Sequence, residues 1–250
     1  MRGILYVSHG SRIYEARKEA ESFIHSVRAQ IDVELQEICF LELAKPDLQQ
    51  GVKTLVDQGA TEISVIPVLL LSAGHYFRDI PEEMNTINEK YPHIKFLYGK
   101  PLGVQSRLTN ILKERIQETG IRANKDAKIL VVGRGSYNPQ TEIDISSIGR
   151  ELKESTGFDY VDVCYLAACR PSFEDALQQS LEAEHSQVFI VPYLWFTGVL
   201  EKYIEEKIQN HSTNKQVVLC HHLGNHPAMQ EALKERVYET FKYPLQLYIS

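Results

Sequence analysis

Short apolar runs alternate along the chain with segments whose apolar residues recur at helical spacing. The run at 4–8 is followed by a predicted helix near 14–30. The apolar positions of that helix are Ala16, Ala20, Phe23, Ile24 and Val27. The runs VELQEICFLE, EISVIPVLLL and IKFLYG follow, with predicted helices opened by Pro46, near 80–91 and near 104–118. Strand runs without strict alternation, separated by helices, indicate a parallel sheet covered on both faces. The pattern therefore predicts an α/β fold.

Pro67 lies inside the third of these apolar runs. Proline has no amide hydrogen to donate to a neighbouring strand, so within sheets it is found mainly on edge strands and at bulges. Its position predicts that the third strand is an edge strand or carries a bulge.

The apolar pattern begins again in the second half of the chain. ILYVSHGS at 4–11 matches ILVVGRGS at 129–136, and CFLELAKP at 39–46 matches CYLAACRP at 164–171, both 125 residues later. The same offset places Pro67 on Pro192. Three matches at one offset indicate an internal duplication.

The duplication predicts the domain organisation. We expect an N-terminal lobe at 1–118, a polar linker at 119–127 and a C-terminal lobe at 128–250. Each lobe is predicted to be a Rossmann-like unit, with a four-stranded parallel sheet flanked by helices. Two such lobes facing each other across a cleft are the expected architecture. Because one chain supplies both lobes, we expect a monomer.

Composition and charge narrow the class of protein. The 250 residues carry a net charge of −6, which argues against general affinity for nucleic acid. The longest apolar run, VIPVLLL at 65–71, is far below the roughly 20 residues that span a bilayer. The first residues do not resemble a signal peptide. The four cysteines form no CxxC pair and are expected to be reduced thiols. We therefore expect a cytoplasmic protein with neither nucleic-acid nor membrane partners.

Three positions break the match between the halves. His9 aligns with Arg134 and Glu42 with Ala167, whereas His75 falls opposite Val199 or Leu200. In the first half, all three residues follow the carboxyl ends of successive predicted strands. Open parallel α/β sheets bind their ligands at that edge. Two imidazoles and a carboxylate suit a divalent first-row metal. We therefore predict that His9, Glu42 and His75 are metal ligands and catalytic residues.

Other interpretations of these histidines stay open at the level of sequence. His9 alone is compatible with a packed loop residue, a phosphate contact or a phosphohistidine nucleophile. Histidine phosphatases place an arginine before that nucleophile, whereas Ser8 precedes His9. The CHH run at 220–222, with His226, has no standard zinc spacing and is interpreted as structural.

The motifs SHGS, FLELAKPDL and PVLLLSAGHYFRDIP together resemble the class II chelatases, which insert metals during tetrapyrrole synthesis. The likeness is to the sirohydrochlorin branch and covers nearly the whole chain. It implies two Rossmann-like lobes with the tetrapyrrole between them. It also implies that the metal-binding histidines and glutamate are His9, His75 and Glu42.

The resemblance implies an activity as well. Fe²⁺ would be inserted into sirohydrochlorin to give siroheme with release of two protons, and no prosthetic group would be needed. The chain has neither the His-rich segment nor the cysteine-rich tail of some cobalt enzymes of the family, which favours iron. Insertion of Co²⁺ or Ni²⁺ and a non-catalytic metal or tetrapyrrole carrier remain as alternatives.

A substrate rich in carboxylates calls for local positive charge and hydrogen-bond donors on this acidic chain. Basic residues lie in or beside the predicted strand-end loops, including Arg78 and Arg170. The hydroxyls and amides of SHGS and GRGS offer further contacts. The predicted substrate-binding set is Ser8, Gly10, Ser11, Arg12, Lys45, Arg134 and Ser136.

Overall fold

The computed structural model describes residues 1–243 and contains two four-stranded parallel sheets. The first sheet has the strand order β2-β1-β3-β4. Its strands are β1 (Arg2–Ser8), β2 (Leu35–Phe40), β3 (Glu62–Pro67) and β4 (Lys95–Tyr98). The helices of this half are α1 (Tyr14–Arg28), α2 (Leu48–Asp57), α3 (Ile80–Lys90) and α4 (Ser106–Glu118), and a π-helical turn, His75–Asp79, leads into α3.

The second sheet repeats the arrangement with the order β6-β5-β7-β8. Its strands are β5 (Lys128–Gly133), β6 (Tyr160–Tyr165), β7 (Gln187–Tyr193) and β8 (Gln216–Leu219). The helices of this half are α5 (Gln140–Thr156), α6 (Phe173–Glu182), α7 (Val199–Gln209) and α8 (Pro227–Lys242). The predicted fold class, two similar parallel sheets flanked by helices, is confirmed. Within residues 1–243, none of the helices has the length and apolar character needed to span a membrane.

The chain forms two compact units whose boundaries differ from the predicted lobes. Within residues 1–243, the first unit contains Met1–Gly103 and residues 229–243, and the second contains Val104–Ala228. Helix α8 therefore packs with the first sheet, where Thr240 Oγ1 donates to Ser64 Oγ at 2.9 Å. Helix α4 belongs to the second unit, where Thr109 Oγ1 donates to Glu151 Oε2 at 2.9 Å. Each unit thus contains the last helix of the other repeat.

The backbone shows the duplication most clearly at the turns after β1 and β5. Gly10 and Gly135 both have positive φ, 91° and 83°. A Cβ atom on Gly10 would lie 1.9 Å from the carbonyl oxygen of Glu42, and one on Gly135 would lie 1.8 Å from that of Ala167. Only glycine fits either turn. Sequence and geometry therefore agree on the repeat at these positions.

Two local predictions about proline were wrong. Strand β3 is an interior strand, between β1 and β4, not an edge. Pro67 is its last residue, and β4 pairs only as far as Val65, so no donor is missing from the ladder. Helix α2 does not begin at Pro46. It begins at Leu48, because Asp47 forms a capping box with Gln50.

Each unit has an apolar core around its sheet. Leu5 of β1 is fully buried in the core of the first unit, and Leu130 of β5 is fully buried in the core of the second. Cys39 and Cys164 occupy matching strand positions and are also fully buried, which agrees with their interpretation as packing residues. Burial raises the pKa of both thiols. All four cysteines are free thiols.

Candidate metal centre

The order of the first sheet brings together the ends of three neighbouring strands. His9 follows β1 directly, Glu42 follows β2, and His75 opens the π-helical turn that comes after β3. Because β1 lies between β2 and β3, the chain leaves all three strands at one sheet edge. One ligand atom from each of the three residues lies within 4.8 Å of the other two. The structure therefore brings together the predicted metal ligands.

His9 and Glu42 are in direct contact. Nε2 of His9 lies 3.0 Å from Oε1 of Glu42, and Nδ1 of His9 lies 3.0 Å from the carbonyl oxygen of Gly10. That carbonyl only accepts, so a proton on Nδ1 satisfies it, and Nε2 is the ring nitrogen that faces the carboxylate of Glu42. The two imidazole rings meet edge to face, with centroids 4.6 Å apart and planes at 83°. These contacts place two nitrogens and a carboxylate around one point.

The turn at Gly10 sets the distance between the first two ligands. The Glu42 amide donates to the carbonyl of His9 at 3.1 Å, and the Leu41 amide donates to that of Ser8 at 2.9 Å. The loop after β2 therefore lies directly on the loop after β1. Because Gly10 has no side chain, the two loops can approach each other this closely. Gly10 therefore contributes to the site by allowing Glu42 to lie next to His9.

His75 is held by a residue that the sequence analysis did not identify. Its Nδ1 lies 2.7 Å from Oδ2 of Asp79, four residues later in the π-helical turn. Nε of Arg78 donates to Oδ1 of the same carboxylate at 2.8 Å. The Arg78 guanidinium and His75 hold the pKa of Asp79 below its usual value. With Nδ1 engaged by a carboxylate, Nε2 of His75 is the nitrogen left for a metal.

Two tyrosines fix the π-helical turn to the sheet. The rings of Tyr76 and Tyr98 are stacked at 5.0 Å, and Tyr98 Oη donates to the Tyr76 carbonyl at 2.9 Å. Burial raises the pKa of Tyr98, so the hydroxyl stays a donor throughout the physiological range. The turn that bears His75 is thereby anchored to β4.

The site is open to solvent. The side chains of His9, His75 and Glu42 are 32%, 22% and 49% exposed. Three protein ligands leave further coordination positions for water or an incoming ligand. Such a site can take up a metal from solution and release it to a stronger set of donors.

The other predicted residues of the first unit lie around the same loops. Ser8 is buried, with 4% exposure, so its hydroxyl does not face solvent. Ser11 Oγ accepts from the Ile13 amide at 3.0 Å and supports the approach to α1. Arg12 and Lys45 are exposed, and the Lys45 ammonium lowers the pKa of its partner Asp47. Their contact with a substrate stays a prediction.

The second unit has different side chains at the matching strand ends. Arg134 is exposed beside Gly135, and Ser136 Oγ accepts from the Asn138 amide at 3.2 Å. Arg170 pairs with Asp175 at 2.9 Å. Within the part of the chain that the structure describes, His9, Glu42 and His75 are the one group of three potential ligands close enough to share a metal. Substrate binding by Arg134 and Ser136 stays a prediction.

His222 and His226 each contact a glutamate. Nδ1 of His222 lies 2.9 Å from Glu201, whose other oxygen accepts from Thr197 Oγ1 at 2.8 Å. Nε2 of His226 lies 3.0 Å from Glu114. These contacts agree with the structural interpretation of the CHH run.

Comparison with known proteins agrees with the duplication. The CbiX family model matches the chain twice, at residues 3–119 and 128–240. A sirohydrochlorin ferrochelatase of Priestia megaterium is 42% identical over 238 residues, covering 95% of this chain and 90% of the relative. A sirohydrochlorin cobaltochelatase of the same organism is 37% identical, covering 96% of this chain and 80% of the relative.

A solved structure agrees over nearly the whole chain. SirB from Bacillus subtilis with Fe³⁺ superimposes with a TM-score of 0.87 at 38% identity, covering 96% of this chain and 95% of that one. The predicted resemblance to the sirohydrochlorin chelatases is thereby confirmed. The chain belongs to the CbiX family.

Proposed function

We propose that the protein is a sirohydrochlorin ferrochelatase, which inserts Fe²⁺ into sirohydrochlorin and releases two protons. The observation that carries the proposal is the cluster of His9, Glu42 and His75, present in one repeat and replaced in the other. Its relatives of similar length are named for this reaction, which supports the same assignment.

The metal is a substrate in this proposal, so the site has to bind it and then give it up. Neutral imidazoles are good ligands for Fe²⁺, but two of them with one carboxylate hold it less firmly than four ring nitrogens in one plane. The three side chains are partly exposed, so a metal held by them would be accessible to an incoming ligand. Transfer then exchanges protein ligands for the nitrogens of the macrocycle.

Metal insertion also removes two protons from the pyrrole nitrogens. Glu42, as the most exposed of the three ligands, is the proposed first acceptor, and His9 lies 3.0 Å from it. As the metal leaves, Nε2 of His9 regains a lone pair that can take up a proton. The site therefore loses a cation and gains protons in the same step, which limits the change in its net charge.

The carboxylates of the substrate are proposed to meet Arg12, Lys45 and Arg134, together with the turn residues Ser11 and Ser136. Arg12, Lys45 and Arg134 are exposed, so they are accessible to an anionic ligand. Gly10 contributes by allowing the close turn, and the buried Ser8 contributes through its backbone.

We also propose that the protein is a monomer and acts in the cytoplasm.

Insertion of Co²⁺ is the second candidate, favoured by the 37% identity to a cobaltochelatase. Two imidazoles and a carboxylate bind Fe²⁺, Co²⁺ and Ni²⁺, so the site itself discriminates weakly among them. Supply of the metal would then decide which product forms.

Anaerobic incubation with sirohydrochlorin and Fe²⁺, followed by the absorption change on metal insertion, tests the proposal. We expect His9→Ala and His75→Ala to lose product formation and His221→Ala, an exposed control, to keep it. Full activity in both ligand variants would refute the site. Binding of metal and tetrapyrrole by the wild type without product would instead identify a carrier.

A further inference from the structure

The carboxylate of Asp79 has two partners that differ in what they offer. Arg78 Nε is a donor at all accessible pH values, and it faces Oδ1 at 2.8 Å. His75 Nδ1 faces Oδ2 at 2.7 Å and can either donate or accept. Both carboxylate oxygens accept, so the proton on the neutral His75 ring is drawn to Nδ1 and Nε2 keeps its lone pair.

We propose that Asp79 is a positioning residue of the metal centre and that it fixes His75 in the Nδ1–H tautomer. Because Arg78 occupies one side of residue 79, only a carboxylate at that position can present an acceptor to both Arg78 and His75. The inference rests on the metal centre proposed above. Asp79 is not one of the three grouped ligands: one of its oxygens faces Nδ1 of His75 and the other faces Nε of Arg78.

The geometry gives an unusual expectation for the isosteric change Asp79→Asn. The Asn amide has one oxygen and one NH₂ group. Arg78 Nε requires the oxygen at the place of Oδ1, which puts the NH₂ group at the place of Oδ2, facing His75 Nδ1. His75 Nδ1 must then accept, and the ring proton moves to Nε2, the nitrogen intended for the metal. A neutral side chain of the same shape thus inverts the tautomer.

Removing Arg78 tests the coupling. In Arg78→Ala/Asp79→Asn, the amide can rotate so that its oxygen again faces Nδ1, which restores the Nδ1–H tautomer. Arg78→Ala alone keeps the carboxylate, and both of its oxygens accept whichever way it is turned, so Nδ1–H is retained and metal binding should stay close to that of the wild type. The double variant is therefore expected to bind metal more tightly than Asp79→Asn.

Two measurements on the full chain test the proposal without any tetrapyrrole. The first is a titration with Co²⁺ followed in the visible spectrum. Loss of a residue that orients a histidine ligand commonly costs about 10- to 100-fold in metal affinity, and we expect a loss of that order in Asp79→Asn. The second is the ¹⁵N spectrum of the imidazole rings in the metal-free protein in mildly alkaline buffer. It distinguishes Nδ1–H from Nε2–H at His75.

The expected results are Nδ1–H in the wild type, Nε2–H in Asp79→Asn and Nδ1–H again in the double variant. An Nε2–H tautomer in the wild type overturns the proposal whatever the variants do. Equal Co²⁺ affinity in the wild type and Asp79→Asn overturns it too, as does an equal loss in the single and double variants. Failure of the wild type to bind Co²⁺ would instead refute the metal centre and the proposed function.

Discussion

The turn after β1 offers the sharpest test of how the fold builds the site, because the duplication provides its own control. Gly10→Ala would place a Cβ atom 1.9 Å from the carbonyl oxygen of Glu42, where real Cβ contacts are essentially never under 3.0 Å. The carbonyl must therefore withdraw by roughly 1 Å. Gly135→Ala meets the carbonyl of Ala167 at 1.8 Å in the second unit.

The stability cost should be similar for the two variants. A side chain at positive φ costs about 1–2 kcal/mol. The displaced loop also loses a backbone hydrogen bond, from Glu42 to His9 in one unit and from Ala167 to Arg134 in the other, which is worth about 1 kcal/mol. We therefore expect each variant to lower the free energy of unfolding by about 2–3 kcal/mol.

The effect on metal binding should differ. Metal–ligand distances in good sites are held to about 0.2 Å, so a shift of Glu42 by roughly 1 Å should weaken Co²⁺ binding at least about tenfold in Gly10→Ala. Gly135→Ala should leave it unchanged, since the second unit supplies none of the three ligands. Urea unfolding and Co²⁺ titration measure the two quantities. Equal Co²⁺ affinity in both variants would refute the claim that this turn positions the site.

Three further predictions concern stability and the anchoring of the site. Tyr98→Phe should lower the free energy of unfolding by about 0.5–1.5 kcal/mol, because the Tyr76 carbonyl loses its donor, and an unchanged urea midpoint would contradict the anchoring role. The pKa of Glu201 is lowered by His222, so its stabilising effect is present above the unfolded-state pKa of glutamate and is lost as pH falls through the folded value. Urea unfolding should accordingly show a weaker dependence on acid pH in Glu201→Gln than in the wild type, and identical slopes would count against the His222 pair. Leu5→Ala should cost about 2–5 kcal/mol, measured by the same method, since its side chain is fully buried in the first core, and a cost below that of an exposed substitution would contradict this packing.

Much of the fold and the central part of the site were accessible from the sequence because the chain carries two copies of one pattern. Gly10 and Gly135 match because the same turn geometry requires glycine in both units. His9, Glu42 and His75 do not match their counterparts, and the structure brings those three together. Comparison of the halves thus distinguishes the glycines that both turns require from the candidate metal ligands, which are present in the first half only.

The remaining features depend on information that the apolar pattern does not contain. The spacing in α4 and α8 shows that each helix buries one face, but it does not say which sheet covers that face. Pro67 is tolerated in an interior strand because β4 pairs only as far as Val65, a length set by tertiary packing.

Asp79 was missed although its spacing from His75 was visible. With the helix predicted to start near residue 80, His75 and Asp79 lie in a loop. In a loop, a separation of four residues does not predict that two side chains are in contact. A helical turn that begins at His75 places them on one face, and the contact between Nδ1 and the carboxylate follows.

The most direct test of the account is a single turnover of protein loaded with one equivalent of Co²⁺ and mixed with sirohydrochlorin under anaerobic conditions. The visible band of the protein-bound Co²⁺ and the absorption of the metallated tetrapyrrole are followed together. We predict that the first band disappears and the second appears with the same rate constant, and that His75→Ala shows neither phase. Product that forms while the protein keeps its Co²⁺ would contradict the claim that His9, Glu42 and His75 hold the metal that is inserted.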